Sequence, residues 1–595
     1  MSSHPLQALA AQGLEVFAQA FTGSAYCLFS LCPRVGNSVG KGLLRFLKIV
    51  CGLKTNNKQA GIIMGKQRKL SRLFMVSVIA SGLLLTGCGD DGEDGKDGKD
   101  GKDGVAGNTD PEVMATTTSG FTITQDAVLV APDAADGDDI TEALSLALFD
   151  LPEDALVVLP KGRFTVTESI IVNSARGLTI TGHGINETTL DFTTSHGDDA
   201  FRFQGGNGIT VRDLGIYEAP KNGIKTTNVN GIHITHTATV WEGPLEADNG
   251  AYGLYPLKSQ NVLMEDNYAY GSADAGIYVG QSENIVVRNN TAKNNVAGIE
   301  IENSSMADVY NNTAVGNSGG ILSFDLPGLE KAYGRNVRIF NNEIYANNAD
   351  NVGAGVVGAV PPGTGVIVLA ASDVEIYNNR ITDNDTTAVA LTSYFLIEED
   401  VEGYPANFGA TMGDGWSPTL KNVYLHNNTI ARNGSDPRGD LIAPIIDGYT
   451  SPGNSTLLPH TFPAILYDGL GELLSNLGEQ GIGGFNAFVG QEAAADGVNY
   501  DPYGPGDRIC ANSNINGNPA PEYDEVNTGL VFAGNPDDAW IDINGSPQPQ
   551  LLIDSMVNNT YLNCVQPRLA PARVNFRNKI YGCTGDDLAE AACAL

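Results

Sequence analysis

The chain has 595 residues and carries 35 Lys+Arg against 69 Asp+Glu, a formal charge of −34. Residues 1–88 hold ten of the basic residues and one acid, Glu15, so the remainder is more acidic still and lacks the basic footprint of a nucleic-acid binder. With 71 Gly and only 17% charged residues, the composition is globular and turn-rich, which excludes a disordered chain, a coiled coil and a multi-span membrane protein.

The first elements read as targeting signals. Lys66-Gln-Arg-Lys-Leu-Ser-Arg72 precedes the apolar run Leu73–Leu85 and then Thr86-Gly87-Cys88. A basic head, a short apolar stretch and small residues before a cysteine describe a secretory signal, and the run is too short to span a bilayer comfortably. Leu85-Thr86-Gly87-Cys88 resembles the lipobox of bacterial lipoproteins. That resemblance implies cleavage before Cys88, acylation of its thiol, and a lipid-anchored protein of the bacterial cell envelope, at the outer membrane. Residues 64–88 are then the signal peptide, starting at Met64, and residues 1–63 an over-extended gene start or a disordered segment. Glycine recurs at every third position from Gly89 to Gly107 with Lys-Asp between, but without Pro and over too short a run for collagen. Residues 89–117 read as an acidic, soluble tether.

From Thr118 the chain turns to Val, Ile and Thr punctuated by Gly and Asn. Asp138–Phe149 predicts a short helix with Ile140, Leu144, Ala147 and Leu148 on one face. Short strands follow at Leu156–Leu159, Phe164–Val166, Ile170–Val172 and Leu178–Ile180. The phrase apolar-x-apolar-x-x-Asn then recurs: Val262 with Asn267, Ile285 with Asn290, Ala307 with Asn312, Val337 with Asn342, Val374 with Asn379 and Val423 with Asn428. Two earlier copies, at Ile209 and Ile232, lack the Asn. The base step is 22–23 residues, with longer steps of 30, 37 and 49 where segments are inserted. A second phrase lies between the copies, as in Gly276-Ile-Tyr-Val279 and Gly298-Ile-Glu-Ile301.

Two or three short strands per 22–23 residues suit one rung of a right-handed parallel β-helix, an all-β solenoid over residues 118–436 with the helix capping its first rung. The Asn in register would stack into a structural ladder. Outward slots after the first phrase give a charge row, Asp308, Arg338 and Glu375, and a row of rings, Tyr310, Phe340, Tyr377 and His426, either mutually stacked or a platform for sugar. Residues 437–595 read as a loop-rich C-terminal extension and cap, with one amphipathic helix at Ala464–Gln480 and late strands in Thr528–Asn563. Its four cysteines are disulfide candidates, paired as Cys510–Cys564 and Cys583–Cys593.

Residues Asp248–Tyr394 resemble a bacterial group of parallel β-helix repeat lipoproteins of the pectate-lyase-like superfamily. The matching stretches are Ala251–Pro256, Asn261–Asp266, Ser272–Ser282, Val296–Asn303 and Gly319–Gly328. The resemblance extends over at least residues 120–430 and implies the fold, but no settled activity.

Chemistry has few familiar anchors here: His-Glu-x-x-His and a phosphate loop are absent. The second-phrase outward slots set Lys225, Tyr255, Tyr278 and Glu300 in one column, with Lys258, Asp274 and Gln281 just beyond and an insertion at Trp241–Asn249 to wall them. Lys or Tyr could abstract the C5 proton of a uronate while a neighbour neutralises its carboxylate. Tyr252-Gly253 and Pro256 resemble mannuronate C5-epimerases, but those enzymes flank the Pro with Asp and His, where this chain has Tyr255 and Leu257, followed by Lys258. No cofactor is assured; calcium is the one the sequence suggests, on hard oxygens such as Asp198-Asp199. Two readings stay open. One is an envelope protein that binds, and lyses or epimerises, an extended acidic polysaccharide; the other is a non-catalytic scaffold or binding protein of unknown partner.

Overall fold

The computed structural model describes residues 113–398, 404–443, 462–469, 506–516 and 562–583, positions 446 and 471, and the strands Thr528–Leu530, Trp540–Ile543 and Ser546–Pro549. The segment holding Cys88, the tether up to residue 112 and Cys593 lie outside the described residues.

The repeated phrases form three parallel sheets coiled around one apolar core. Face A carries the first phrase, for example Gln260–Glu265, Glu283–Arg288, Ser305–Tyr310, Arg335–Phe340, Ser372–Tyr377 and Lys421–His426, each paired with the next. Face B uses three-residue strands such as Thr291–Lys293 and Thr313–Val315. Face C carries the second phrase as an 11-stranded sheet running from Ile170–Asn173 to Thr528–Leu530. Alternate side chains point inward, so Val262, Ile285, Ala307 and Val374 of face A and Ile224, Leu254, Ile277 and Ile299 of face C are fully buried. The N-terminal helix spans Thr141–Ala147, with Asp139 Oδ1 accepting the Thr141 N–H at 2.9 Å. Ile140, Leu144 and Leu148 close that end of the core.

The solenoid does not stop at residue 436. Ile465–Tyr467 pairs with face C at Val389–Leu391, and Ile509–Asn512 pairs with face A at Val423–His426. The beginning of the expected helix Ala464–Gln480 is therefore a strand. Long insertions between successive strands had hidden the period.

The expected ladder runs unbroken through Asn267, Asn290, Asn312, Asn342, Asn379, Asn428 and Asn514. Asn312 shows the unit. Its Nδ2 donates to Asn342 Oδ1 (3.1 Å) and to Val287 O (2.9 Å), while its Oδ1 accepts the backbone and side-chain N–H groups of Asn290 at 2.9 and 3.0 Å. The residue before it, Asn311, sits at φ +55°, a left-handed conformation that Asn tolerates well; Asn289, Asn341, Asn378 and Asn427 do the same. A second ladder, unforeseen, follows the face B strands through Asn295, Asn317, Asn347, Asn384 and Asn433.

Face A is covered by a strap from the far end of the chain. Cys510 and Cys564 form a disulfide at the last described face A rung. From there the chain runs back along the solenoid until Arg577 donates to Gly208 O (2.8 Å) and Leu178 O (3.1 Å). Nine rungs at about 4.8 Å are close to what a dozen extended residues reach at about 3.4 Å each. Ala572, Val574 and Phe576 pack over Leu263, Val286, Tyr310, Phe340 and Tyr377. The ring row is thus a stack with centroids 4.8, 4.8 and 5.2 Å apart, buried under protein and closed to sugar. The charge row is buried as well: Arg338 holds Asp308 through two bonds of 2.7 and 2.5 Å, and Glu375 binds His426 at 3.0 Å and Arg568 of the strap. Cys583 is disulfide-bonded, with its partner outside the described residues.

Replacing Asn312 by Leu strands donors and acceptors on both neighbouring rungs, each unpaired buried group costing about 1–3 kcal/mol. Chemical denaturation should show a loss of about 3 kcal/mol or more; an unchanged midpoint would contradict the ladder's role.

Candidate functional site

Among the described residues no strap covers face C, and its outward column holds the chemistry. Strand pairing puts Arg202, Lys225 and Tyr255 on successive rungs, then Tyr278, Glu300, Leu322, Ile367 and Ala390. Glu302, two residues after Glu300 on the same strand, points to the same side, as does Tyr252 at the start of its own strand.

Three tyrosine rings meet there: Tyr252–Tyr255 at 4.3 Å between centroids, and Tyr278 at 4.9 Å from each. The Lys225 ammonium lies 4.9 Å from the Tyr255 ring centre and has no carboxylate partner among the described residues. Two tyrosine hydroxyls serve carboxyls: Tyr278 donates to Glu302 at 2.6 Å, and Tyr252 is hydrogen-bonded to Asp274. Glu300 is 3% exposed, and its Oε2 has no hydrogen-bond partner among the described residues.

Crowding three carboxyls into a covered place shifts their acidity. Burial, joined by the charges of Asp274 and Glu302, raises Glu300 well above the usual carboxyl range. Burial also raises Glu302, against the Tyr278 bond. Asp274 is lifted to about 7 by burial, opposed by the Tyr252 hydrogen bond and aided by the charge of Glu302. Tyr255 is pushed up to about 12 by burial and then by the surrounding carboxylates, and Tyr252 and Tyr278 rise further for the same reasons. Such hydroxyls suit donation and not proton abstraction, which departs from the base role expected of them.

Of the residues singled out in the sequence, Lys225, Tyr252, Tyr255, Tyr278 and Glu300 come together, with Asp274 beside them. Lys258 does not join them: it turns away at φ +49° and pairs with Glu330. Gln281 is taken by a loop, its Oε1 accepting the Lys331 N–H at 3.1 Å. Asp198 and Asp199 are committed to Arg202, and Asp199 also to Asn222. Among the described residues, no group of three or more His, Cys, Asp or Glu is placed to hold a metal ion. Glu302 was missed, although Glu-x-Glu on one strand signals a shared face.

Leu245 of the Trp241–Asn249 insertion does pack against this cluster, as do Val352, Val356, Val357 and Val360 of the insertion after face B and Leu326 of the one after face C. The inserted segments therefore pack against the covered part of this column.

Residues 154–326 match the family model of a right handed beta helix region. The solenoid is a right-handed parallel β-helix. No curated protein matches the chain. Among solved structures, the β-helix is similar to the A-module of a mannuronan C-5 epimerase from Azotobacter vinelandii: 17% identity, 52% of this chain and 89% of that one, TM-score 0.33. The catalytic unit of an alpha-1,3-glucanase from Streptomyces thermodiastaticus gives 14% identity, 60% and 52% coverage, and TM-score 0.36. A surface adhesin of Streptococcus pneumoniae gives 12%, 51% and 85%, and 0.33.

The raised carboxyls make stability fall with alkalinity. Between its unfolded and folded pKa values each group binds more protons in the folded chain, so its contribution is complete below about 4 and is lost as pH rises through 7 and beyond. Glu265 lies outside this window: burial raises it, but His233 and Arg288 outweigh that and hold it at about 2. The melting temperature should therefore be lower at about pH 8 than at about pH 5, and Glu300→Gln should remove much of that difference. An equal fall in parent and variant would contradict the buried cluster.

Proposed function

We propose that this β-helix binds an extended polysaccharide along face C and cleaves it by proton transfer at Asp274 and Glu300. The observation that carries the reading is the meeting of three tyrosine rings with a cluster of buried carboxyls on one face. Pyranose rings present C–H faces that pack on tyrosine and hydroxyls that pair with carboxyl groups. Lys225, without a carboxylate of its own among the described residues, favours a uronate or other anionic unit beside Tyr255.

The chemistry follows from two neighbouring carboxyls, both raised by burial. Glu300, raised well above the usual carboxyl range by burial and by the charges of Asp274 and Glu302, can deliver a proton to the glycosidic oxygen as the bond to the anomeric carbon breaks. Asp274, poised near 7, can take a proton from the water whose oxygen bonds that carbon. Water is consumed, and the proton returns from Asp274 to Glu300 through solvent. The lipobox-like segment supports an envelope location: acylation of Cys88 would hold the domain at the membrane, with residues 89–117 as spacer. Replacing Cys88 by Ser should abolish fatty-acid labelling, and labelling at the parent level would refute the anchor.

A non-catalytic binding protein remains the second reading, because Asp274 and Glu302 are already hydrogen-bonded to Tyr252 and Tyr278. Two variants of the full chain separate the readings. Lys225→Ala with Tyr255→Ala should weaken oligouronate binding about tenfold or more by calorimetry, since a cation contact and a stacking surface are each worth on the order of 1 kcal/mol. Glu300→Gln should preserve binding and lower turnover by about 10²-fold or more. Unchanged affinity in the first variant would move the site off face C; a parent that binds without turnover would establish the binding protein.

A further inference from the structure

Face C changes along its length in a way the other faces do not. Its outward column begins at Ile171, 49% exposed, and continues through the part-exposed Arg202, Lys225 and Tyr255. Tyr278 is 4% exposed and Glu300 3%; beyond them Leu322, Ile367 and Ala390 are buried. From Arg202 to Leu322 the same slot passes from part-exposed and polar to closed and apolar.

The closure is built from two inserted segments, each fixed by a buried or half-buried asparagine. Asn351 Nδ2 donates to Val357 O (2.9 Å) and Val360 O (2.8 Å), and its Oδ1 accepts the Gly353 N–H at 2.8 Å, folding the first segment back on itself. Val357 and Val360 then lie on Leu322, Ile367 and Ala390. Asn303 pins the second segment: its Nδ2 donates to Leu326 O (2.9 Å), Lys331 O (2.9 Å) and Ala332 O (3.1 Å), and its Oδ1 accepts the Leu326 N–H at 2.7 Å. Asn303 itself is fully buried. Seven hydrogen bonds and an apolar interface make this a fixed stop, unlike a lid held by a few exposed contacts.

We propose that face C receives polysaccharide ends and not internal stretches, with the terminal unit at Tyr278, Glu300 and Asp274 and the following units running out over Tyr255, Lys225 and Arg202. The inference rests on the glycan reading above and deepens it. From Arg202 to Glu300 is four rungs, about 19 Å, room for a short oligosaccharide before the chain leaves the protein. An internal stretch would have to continue past Glu300 through the plug of Leu322, Phe324, Ile367 and Leu369. The unpartnered Glu300 Oε2 sits at the point where the column closes, so a hydroxyl of the last unit supplies the partner that the fold withholds. Tyr252 and Tyr255, the two part-exposed rings of the three, are the ones that must move to admit that unit.

The test uses the full chain and one uronate polymer in short, medium and long fractions, read by calorimetric stoichiometry. End recognition predicts the same number of proteins bound per polymer chain at every length, and loss of binding when the terminal unit on one side is chemically capped. Stoichiometry that grows in proportion to length, or capped chains bound as tightly as free ones, overturns the end reading and leaves the glycan site standing. Absence of binding to any fraction, with a neutral glucan series equally silent, overturns the glycan site and the end reading together. Val360→Gly supplies a second measurement. It should loosen the plug and raise the number of proteins bound per long chain above that for the parent, and an unchanged number would count against the plug as the stop.

Discussion

Everything in this molecule depends on keeping successive rungs in register, and the two asparagine ladders do that. In parallel pairing a one-residue slip would turn every inward side chain outward. Each ladder amide prevents this by bonding side chain and backbone of the adjacent rungs at once, inside the core where an unpaired amide is costly. Because one ladder follows the face A strands and the other the face B strands, two of the three corners are fixed. Insertions are then free to grow at the turns without disturbing the stack, and the steps of 30, 37 and 49 residues do so.

Register also turns one slot per rung into a column, and the columns meet different fates. On face A the outward column is filled with rings and paired charges and sealed by the strap, which the Cys510–Cys564 disulfide anchors at one end and Arg577 at the other. On face C the column is partly covered by inserted segments, and the cover leaves three carboxyls without enough water or counter-charge to ionise normally. Stability is given up there for acidity that a fully solvated surface would not produce.

The fold was largely legible, because stacked rungs write a period into the sequence. The first ladder showed as the repeated Asn after each apolar phrase. The second was equally periodic, each member standing five residues after a member of the first (Asn290 and Asn295, Asn312 and Asn317), but its positions follow short face B strands whose apolar signal is weak. The column Lys225, Tyr255, Tyr278 and Glu300 followed from strand alternation alone. What alternation cannot reveal is which column is covered. A sugar platform stayed open beside mutual stacking for the rings of face A because the strap that buries them comes from residues near 570, well over a hundred positions away. The acidity of Glu300 was hidden for the same reason: its cover is supplied by the segment around Val357.

The central claim is that burial on face C lifts the Glu300 carboxyl well above the usual glutamate range where the outward column closes. It is tested most directly by following the ¹³C chemical shift of the Glu300 side-chain carboxyl as a function of pH in the folded chain, assigned by its loss in Glu300→Gln. The account predicts a transition well above the ordinary glutamate value of about 4.3; a transition near that value would contradict it.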